Sequence, residues 1–164
     1  MKNILRLFAV VLLLAGISDR AAGQDQKNSS TANKNLAAYY VVENAFKTGD
    51  THEIDRVVAS DFVDHTERGG MNRDSLKAMI TWMHNAYPDM KSEKIRDLAD
   101  DEYVMALRHY AGTSSGEPGM PPKGEKYTMK SIEVVRFKEG KAVEHWAFIE
   151  MADMLKMMSP QNGK

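Results

Sequence analysis

The apolar residues of this chain change period at Met90, and that change limits the folds open to it more than any other feature. Before it, Leu36 to Lys47 carries Ala38, Tyr39, Val42, Ala45 and Phe46 at helical spacing, and Gly49 ends the segment. Asp50, with Glu53 three residues on, has the form of a capping box that opens a short second helix through Ile54, Val57 and Val58. Asn72 caps a third helix, in which Leu76, Met79, Ile80, Met83 and Tyr87 mark one face before Pro88 stops it. After Met90 the segments read as strands. Lys91 to Leu98 alternates weakly, Asp100-Asp101 makes a turn, and Tyr103 to Thr113 is rich in aromatic and β-tolerant residues. Gly112 to Gly124 holds four glycines and three prolines and is a loop. Tyr127 to Phe137 and Ala142 to Ile149 pair through a hairpin at Glu139-Gly140, where glycine supplies the positive φ of a tight turn. Met151, Met154, Leu155 and Met158 close the chain as a short amphipathic tail. Helices first and an antiparallel meander afterwards imply an α+β fold, with the helices covering one face of a curved sheet.

The first 23 residues stand apart. Lys2 and Arg6 precede an uncharged run from Leu7 to Ile17, and Ala21-Ala22-Gly23 suits signal-peptidase cleavage. Those 11 apolar residues fall short of the roughly 20 that a spanning helix needs, so the segment reads as an export signal. Residues 24–33 are polar and read as a disordered tether, residues 34–158 as one domain, and residues 159–164 as a flexible tail. The whole chain of 164 residues has a net charge of -1, and removing Lys2, Arg6, Arg20 and Asp19 leaves 19 basic against 22 acidic residues. The expected product is an exported protein, periplasmic or secreted, with no membrane attachment after cleavage.

Composition excludes several chemistries. There is no cysteine, hence no disulfide, thiolate metal site, thiol nucleophile or lipidated leader. Near charge balance with no run of five like charges lacks the electrostatic footprint of nucleic-acid binding. Gly112-Thr113-Ser114-Ser115-Gly116 fits the G-x-S-x-G nucleophile elbow, but a Pro- and Gly-rich loop follows where that motif needs a helix. His52, His65, His84, His109 and His145 show no paired spacing of the kind that places two ligands on one face.

Strand alternation sorts the remaining polar groups. His145, Ala147 and Ile149 share one face and Trp146 and Phe148 the other, while His109, Leu107 and Met105 are separated from Arg108 and Tyr110. A titratable group buried on either face needs a partner or a wet cavity.

Six segments together resemble one family. Phe62-Val63-Asp64-His65, Tyr87-Pro88-Asp89-Met90, Gly112-Thr113-x-x-Gly116-Glu117, Pro121-Pro122-x-Gly124, Arg136-Phe137 and Gly140-Lys141-x-Val143-Glu144-His145-Trp146 match the SnoaL-like polyketide cyclases, also called ester cyclases, in order and spacing from about residue 36 to 155. The resemblance implies the cone-shaped fold of the nuclear transport factor 2-like superfamily, with helices packed on a strongly bent antiparallel sheet around a deep apolar pocket. It also implies ring closure by intramolecular aldol chemistry through an acid/base carboxylate, with no metal and no cofactor. A carboxyl group in such a pocket has its pKa raised toward neutrality and can exchange protons with a carbon acid.

Two positions depart from the family pattern. The catalytic aspartate follows the His-Trp pair in the family, and that position is Ala147 here; the family's Gly-Thr-His is Gly112-Thr113-Ser114. Glu150 lies three residues on and points to the opposite face. The hairpin at Glu139-Gly140 places residue 131, 132 or 133 across from Ala147 according to turn type, so Glu133 is a candidate replacement, as is Asp64. The expected catalytic residues are His65, His145 and Glu133, with Asp64, Tyr40, Trp82, Arg108, His109, Trp146 and Ala147 lining the binding site. Two functions follow as expectations: an exported enzyme doing cofactor-independent acid/base chemistry with His65 or His145 as proton carrier, or a catalytically silent protein binding a small hydrophobic molecule. A homodimer through the outer face of the sheet is the expected assembly.

Overall fold

The computed structural model describes residues 29–65 and 70–153; the expected export signal, the first half of the expected tether (24–28), residues 66–69 and the residues from 154 on lie outside the described residues. Helix α1 spans Ser30–Thr48, so the helix begins four residues before Lys34, inside the expected tether. Two contacts explain this. The Ser29 hydroxyl caps the helix by accepting from Ala32 N. The Asn35 side chain, 1% exposed, donates to the carbonyls of Asp100 and Asp101 at 3.2 and 3.1 Å and so pins the first turns to the sheet. At the other end Gly49, at φ 74°, returns its N–H to Ala45 O.

Helix α2 is only Ile54–Val57, and its N-cap Glu53 makes no side-chain cap. The Asp50–Glu53 capping box is not formed, because Asp50 accepts from His52 N instead. Val58, expected in that helix, opens strand β1, Val58–Asp64. Helix α3, Arg73–Ala86, is capped by Asn72 through Ser75 N, as its sequence predicts. Strands β2 (Lys91–Ala99), β3 (Tyr103–Thr113), β4 (Lys126–Lys138) and β5 (Lys141–Ile149) follow. The β4–β5 turn holds both Glu139 and Gly140 at positive φ, 53° and 76°, as a two-residue type I′ turn requires.

The fold is α+β, and the sheet has the order β1-β5-β4-β3-β2. The pairs among β2 to β5 are antiparallel, but β1 runs parallel to β5. The expected purely antiparallel sheet is therefore corrected to a mixed one, with a strand inserted between the helices. Bulges between Lys94 and Arg96 and between Arg136 and Phe137 interrupt the ladders and bend the sheet.

The helices cover the inner face of the sheet. There Val104, Ala106, Val135, Phe137 and Ala142 pack against Tyr39, Ile54, Val57, Leu76 and Ile80. A second apolar cluster, Ala86, Tyr87 and Met90, gathers Tyr110, Tyr127 and Met120. Between these two clusters the same face turns polar.

Candidate functional site

Strand alternation carries Arg108 and Tyr110 on β3, Ser131 and Glu133 on β4, and His145 and Ala147 on β5 onto the inner face. The ladder pairs Arg108 with Ser131, Ala106 with Glu133, and Glu133 with Ala147. Of the three positions the hairpin allowed, the register places Glu133 across from Ala147. Its Oε2 lies 2.8 Å from His145 Nε2, and its Oε1 accepts from the Ser131 hydroxyl. The other ring nitrogen of His145, Nδ1, is 3.1 Å from Asp64 Oδ2. Asp64 reaches that point because β1 and β5 are in parallel register, Asp64 beside His145.

These groups differ in access. The Asp64 side chain is 0% exposed, His145 20% and Glu133 13%. Burial alone would lower the His145 pKa, but its hydrogen bonds to Asp64 and Glu133 outweigh it and raise the value to about 9. Both ring nitrogens thus face carboxylates, an arrangement that favours the imidazolium.

A second polar group adjoins on the same face. Glu43 of α1 accepts from the hydroxyls of Tyr39, Tyr110 and Ser92 at 3.1, 2.9 and 2.7 Å. Arg108, 1% exposed, bonds Asp97 through Nη1 and holds Nε 3.6 Å from Glu43, with its guanidinium over the rings of Tyr39 and Tyr40. Burial opposes the Arg108 charge, but the Asp97 hydrogen bond and nearby anions hold it, so the group stays ionised. Burial, followed by the negative charges around them, drives Tyr39 and Tyr110 far above the usual phenol range. Glu43, Asp97, Ser131, Tyr39 and Tyr110 are not among the expected site residues, although the sequence pattern places Tyr39 on the helix face, Tyr110 on the face of Arg108 and residue 131 near Ala147. The signal for Glu43 was an acid four residues after Tyr39, within a helix that buries that side.

The expected site residues divide between two faces. His145, Glu133, Asp64, Arg108 and Ala147 gather inside. His65 and Trp146 lie outside, stacked at 4.7 Å with their planes 10° apart, and His65 Nε2 meets Glu144 at 2.9 Å. The Arg136 and His65 hydrogen bonds hold Glu144 below the usual carboxylate range. His109 is outside as well, 3.6 Å from Glu93. Tyr40 stands at the rim and donates to Asp97, and Trp82 is half-buried on α3. Strand alternation thus separates His65, His109 and Trp146 from His145.

Where a deep apolar pocket is expected, the inner face carries this polar band. Two surface hollows flank α1, one at Tyr40, Asn44 and Glu53 and one at Lys34, Val41 and Arg56, and neither is lined by Glu133 or His145. Ser114 of the G-x-S-x-G match gives its hydroxyl to Pro121 O in the loop. Among the described residues no group of three or more His, Asp or Glu side chains is arranged to hold a metal ion, and no helix is long and apolar enough to cross a membrane.

The comparisons with known proteins agree with this architecture. The family model of the SnoaL-like polyketide cyclases matches residues 37–158, and the chain belongs to that family. Among solved structures, AclR from Streptomyces galilaeus is similar at 24% identity over 81% of this chain and 87% of its own, with a TM-score of 0.66. A SnoaL-like protein from a Jannaschia species reaches a TM-score of 0.71 at 13% identity, over 87% of this chain and 100% of its own. IdmH from Streptomyces antibioticus follows at 22% identity and a TM-score of 0.63, over 76% and 97%. At these identities the likeness is one of fold. A search of curated proteins gives no match.

Proposed function

We propose that this chain is an exported SnoaL-like protein that performs cofactor-independent acid/base chemistry on a small hydrophobic carbonyl compound, with Glu133 as the group that moves the proton. The observation that carries the proposal is the placement of Glu133 opposite Ala147, the position where the family pattern has its aspartate, and 2.8 Å from His145. Glu43 is a poorer candidate, since three hydroxyl donors and Arg108 already hold its oxygens. Exchange of α-hydrogen for deuterium in aryl ketones such as acetophenone, followed by NMR in heavy water, tests the proposal. The full-length protein is expected to accelerate exchange above buffer, and Glu133→Gln to remove about 10²-fold or more of that acceleration. Equal rates in both proteins would overturn it. A protein with no acceleration that retains an apolar molecule in native mass spectrometry is instead the silent binder. Export is tested by the mass of the protein made with its leader: loss of residues 1–23 is expected, and an intact N-terminus in the exported fraction overturns it.

A second copy of the chain is the proposed partner, through the outer face of the sheet. Ladder pairs Leu98–Met105, Leu107–Ile132, Val134–Trp146 and Ile132–Phe148 form an apolar stripe across four strands. Lys130, His109 and Glu93 border it on one side and Arg136, Glu144 and His65 on the other. Each border carries both signs, so a two-fold stack sets unlike charges within reach of each other.

A further inference from the structure

Asp64 is wholly buried beneath His145 and has no surface with which to meet a ligand. Its carboxylate faces one ring nitrogen while Glu133 faces the other. A neutral imidazole donates from one nitrogen only, whereas an imidazolium donates from both and satisfies both carboxylates. The groups facing the ring are Asp64 from β1 and Glu133 from β4. Farther along the inner face stand Tyr39 and Glu43 from α1, Arg108 and Tyr110 from β3, and Asp97 from β2. On the opposite face of the sheet His65 and Glu144 form their own pair. The two dipeptides are crossed: Asp64 with His145 inside, His65 with Glu144 outside, tied by His65 N to His145 O at 2.7 Å.

We infer that Asp64 is a positioning residue that fixes His145 as a standing imidazolium, so that Glu133 and not the histidine exchanges protons with the ligand. This rests on the function proposed above. In the step itself the α C–H bond of the ligand breaks and its proton passes to a Glu133 carboxylate oxygen. The electron pair stays on the ligand as an enolate beside the His145 cation. The proton then returns from Glu133 to the ligand at its new position, and His145 keeps both N–H protons throughout. The ring, held from behind by Asp64, presents its Nε2 to Glu133 at 2.8 Å.

Nitrogen-15 and ring-proton NMR of the histidines in the full-length protein tests this without any substrate. At pH 7.5 both His145 nitrogens are expected to be protonated. Asp64→Asn is expected to move the titration of the ring down by at least about one pH unit, a tenfold loss of proton affinity, with Asp64→Glu recovering most of it. A neutral His145 ring in the wild type, or an unchanged titration in Asp64→Asn, overturns the inference. Should Asp64→Asn fail to fold, the wild-type nitrogen spectrum decides alone. A protonated ring in a protein that exchanges no ketone hydrogens overturns the proposed reaction and leaves the Asp64–His145 relationship standing.

Discussion

Glu133 and Ala147 face each other across the β4–β5 ladder, a carboxylate beside a methyl group on the inner face of the sheet. Replacing that methyl with a second carboxylate puts two like charges directly opposite one another. Such pairs destabilise, and one of the two protons is then held to higher pH. Ala147→Asp is expected to be less stable than the wild type by about 1 kcal/mol at pH 8, with the difference shrinking at pH 5. Denaturant titrations at the two pH values check this; an identical difference at both would show that the two side chains do not meet.

The His145 pKa gives stability a definite direction with pH. Its folded value, about 9, stands above the 6.5 of the free side chain. The folded protein therefore binds more protons between these values, and the contribution is complete below about pH 6.5 and lost as the pH rises through 9. Its upper size is on the order of 3 kcal/mol. Thermal melts of the wild type should fall across pH 6.5 to 9, and those of His145→Gln should be flatter; parallel curves would count against the pairing.

Arg108 is buried between Asp97 and Glu43, so removing its charge strands two carboxylates. Arg108→Met is expected to cost about 3–5 kcal/mol. Adding Asp97→Asn to that variant should return part of the loss, because the stranded charge is then gone. A double-mutant cycle measures the coupling, and strict additivity would refute it.

A Cβ at Gly49 would stand 2.7 Å from Cδ2 of His84 at a backbone φ of 74°. Gly49→Ala is expected to destabilise by about 1–3 kcal/mol through both effects. Shortening the neighbour in His84→Ala/Gly49→Ala should recover the steric share only, as read from the shift in melting temperature.

Phe148, 60% exposed, lies at one end of the outer stripe. Phe148→Glu should convert a dimer to a monomer in light scattering without lowering the melting temperature of the monomer. A wild type that is monomeric at all concentrations overturns the proposed partner.

What could be read from the sequence followed the reach of each interaction. The Asn72 cap and the Glu139-Gly140 turn are set within a few residues of a helix end or a turn, and each has a local signature; the hairpin alone leaves residues 131, 132 and 133 open opposite Ala147, and the bulge between Arg136 and Phe137 selects Glu133. Strand β1 has none. Val58–Asp64 follows directly on a helical turn, and its pairing with β5 joins positions some eighty residues apart. The sequence accordingly marks Asp64 as a candidate carboxylate but carries no sign that it meets His145. The division of His65 and Trp146 from His145 was already implicit in strand alternation, since Trp146 and His145 are neighbours in sequence. Pooling them in one pocket rested on the family resemblance, which carries positions but not faces. Asn35 shows the same limit from another side: a polar residue in a polar segment gives no sign that a turn sixty-five residues away will take up its amide.

The parallel seating of β1 against β5 ties the first strand of the sheet to its last. The β4–β5 hairpin brings Glu133 and His145 together over a short loop, at small entropic cost. Asp64 joins them only by closing a loop that contains α3, β2, β3 and β4. A chain ending before Lys141 keeps Glu133 but lacks His145, and one lacking β1 lacks the buried Asp64. The site therefore needs β1, β4 and β5 together, since the two carboxylates that face His145 come from the strands on either side of it.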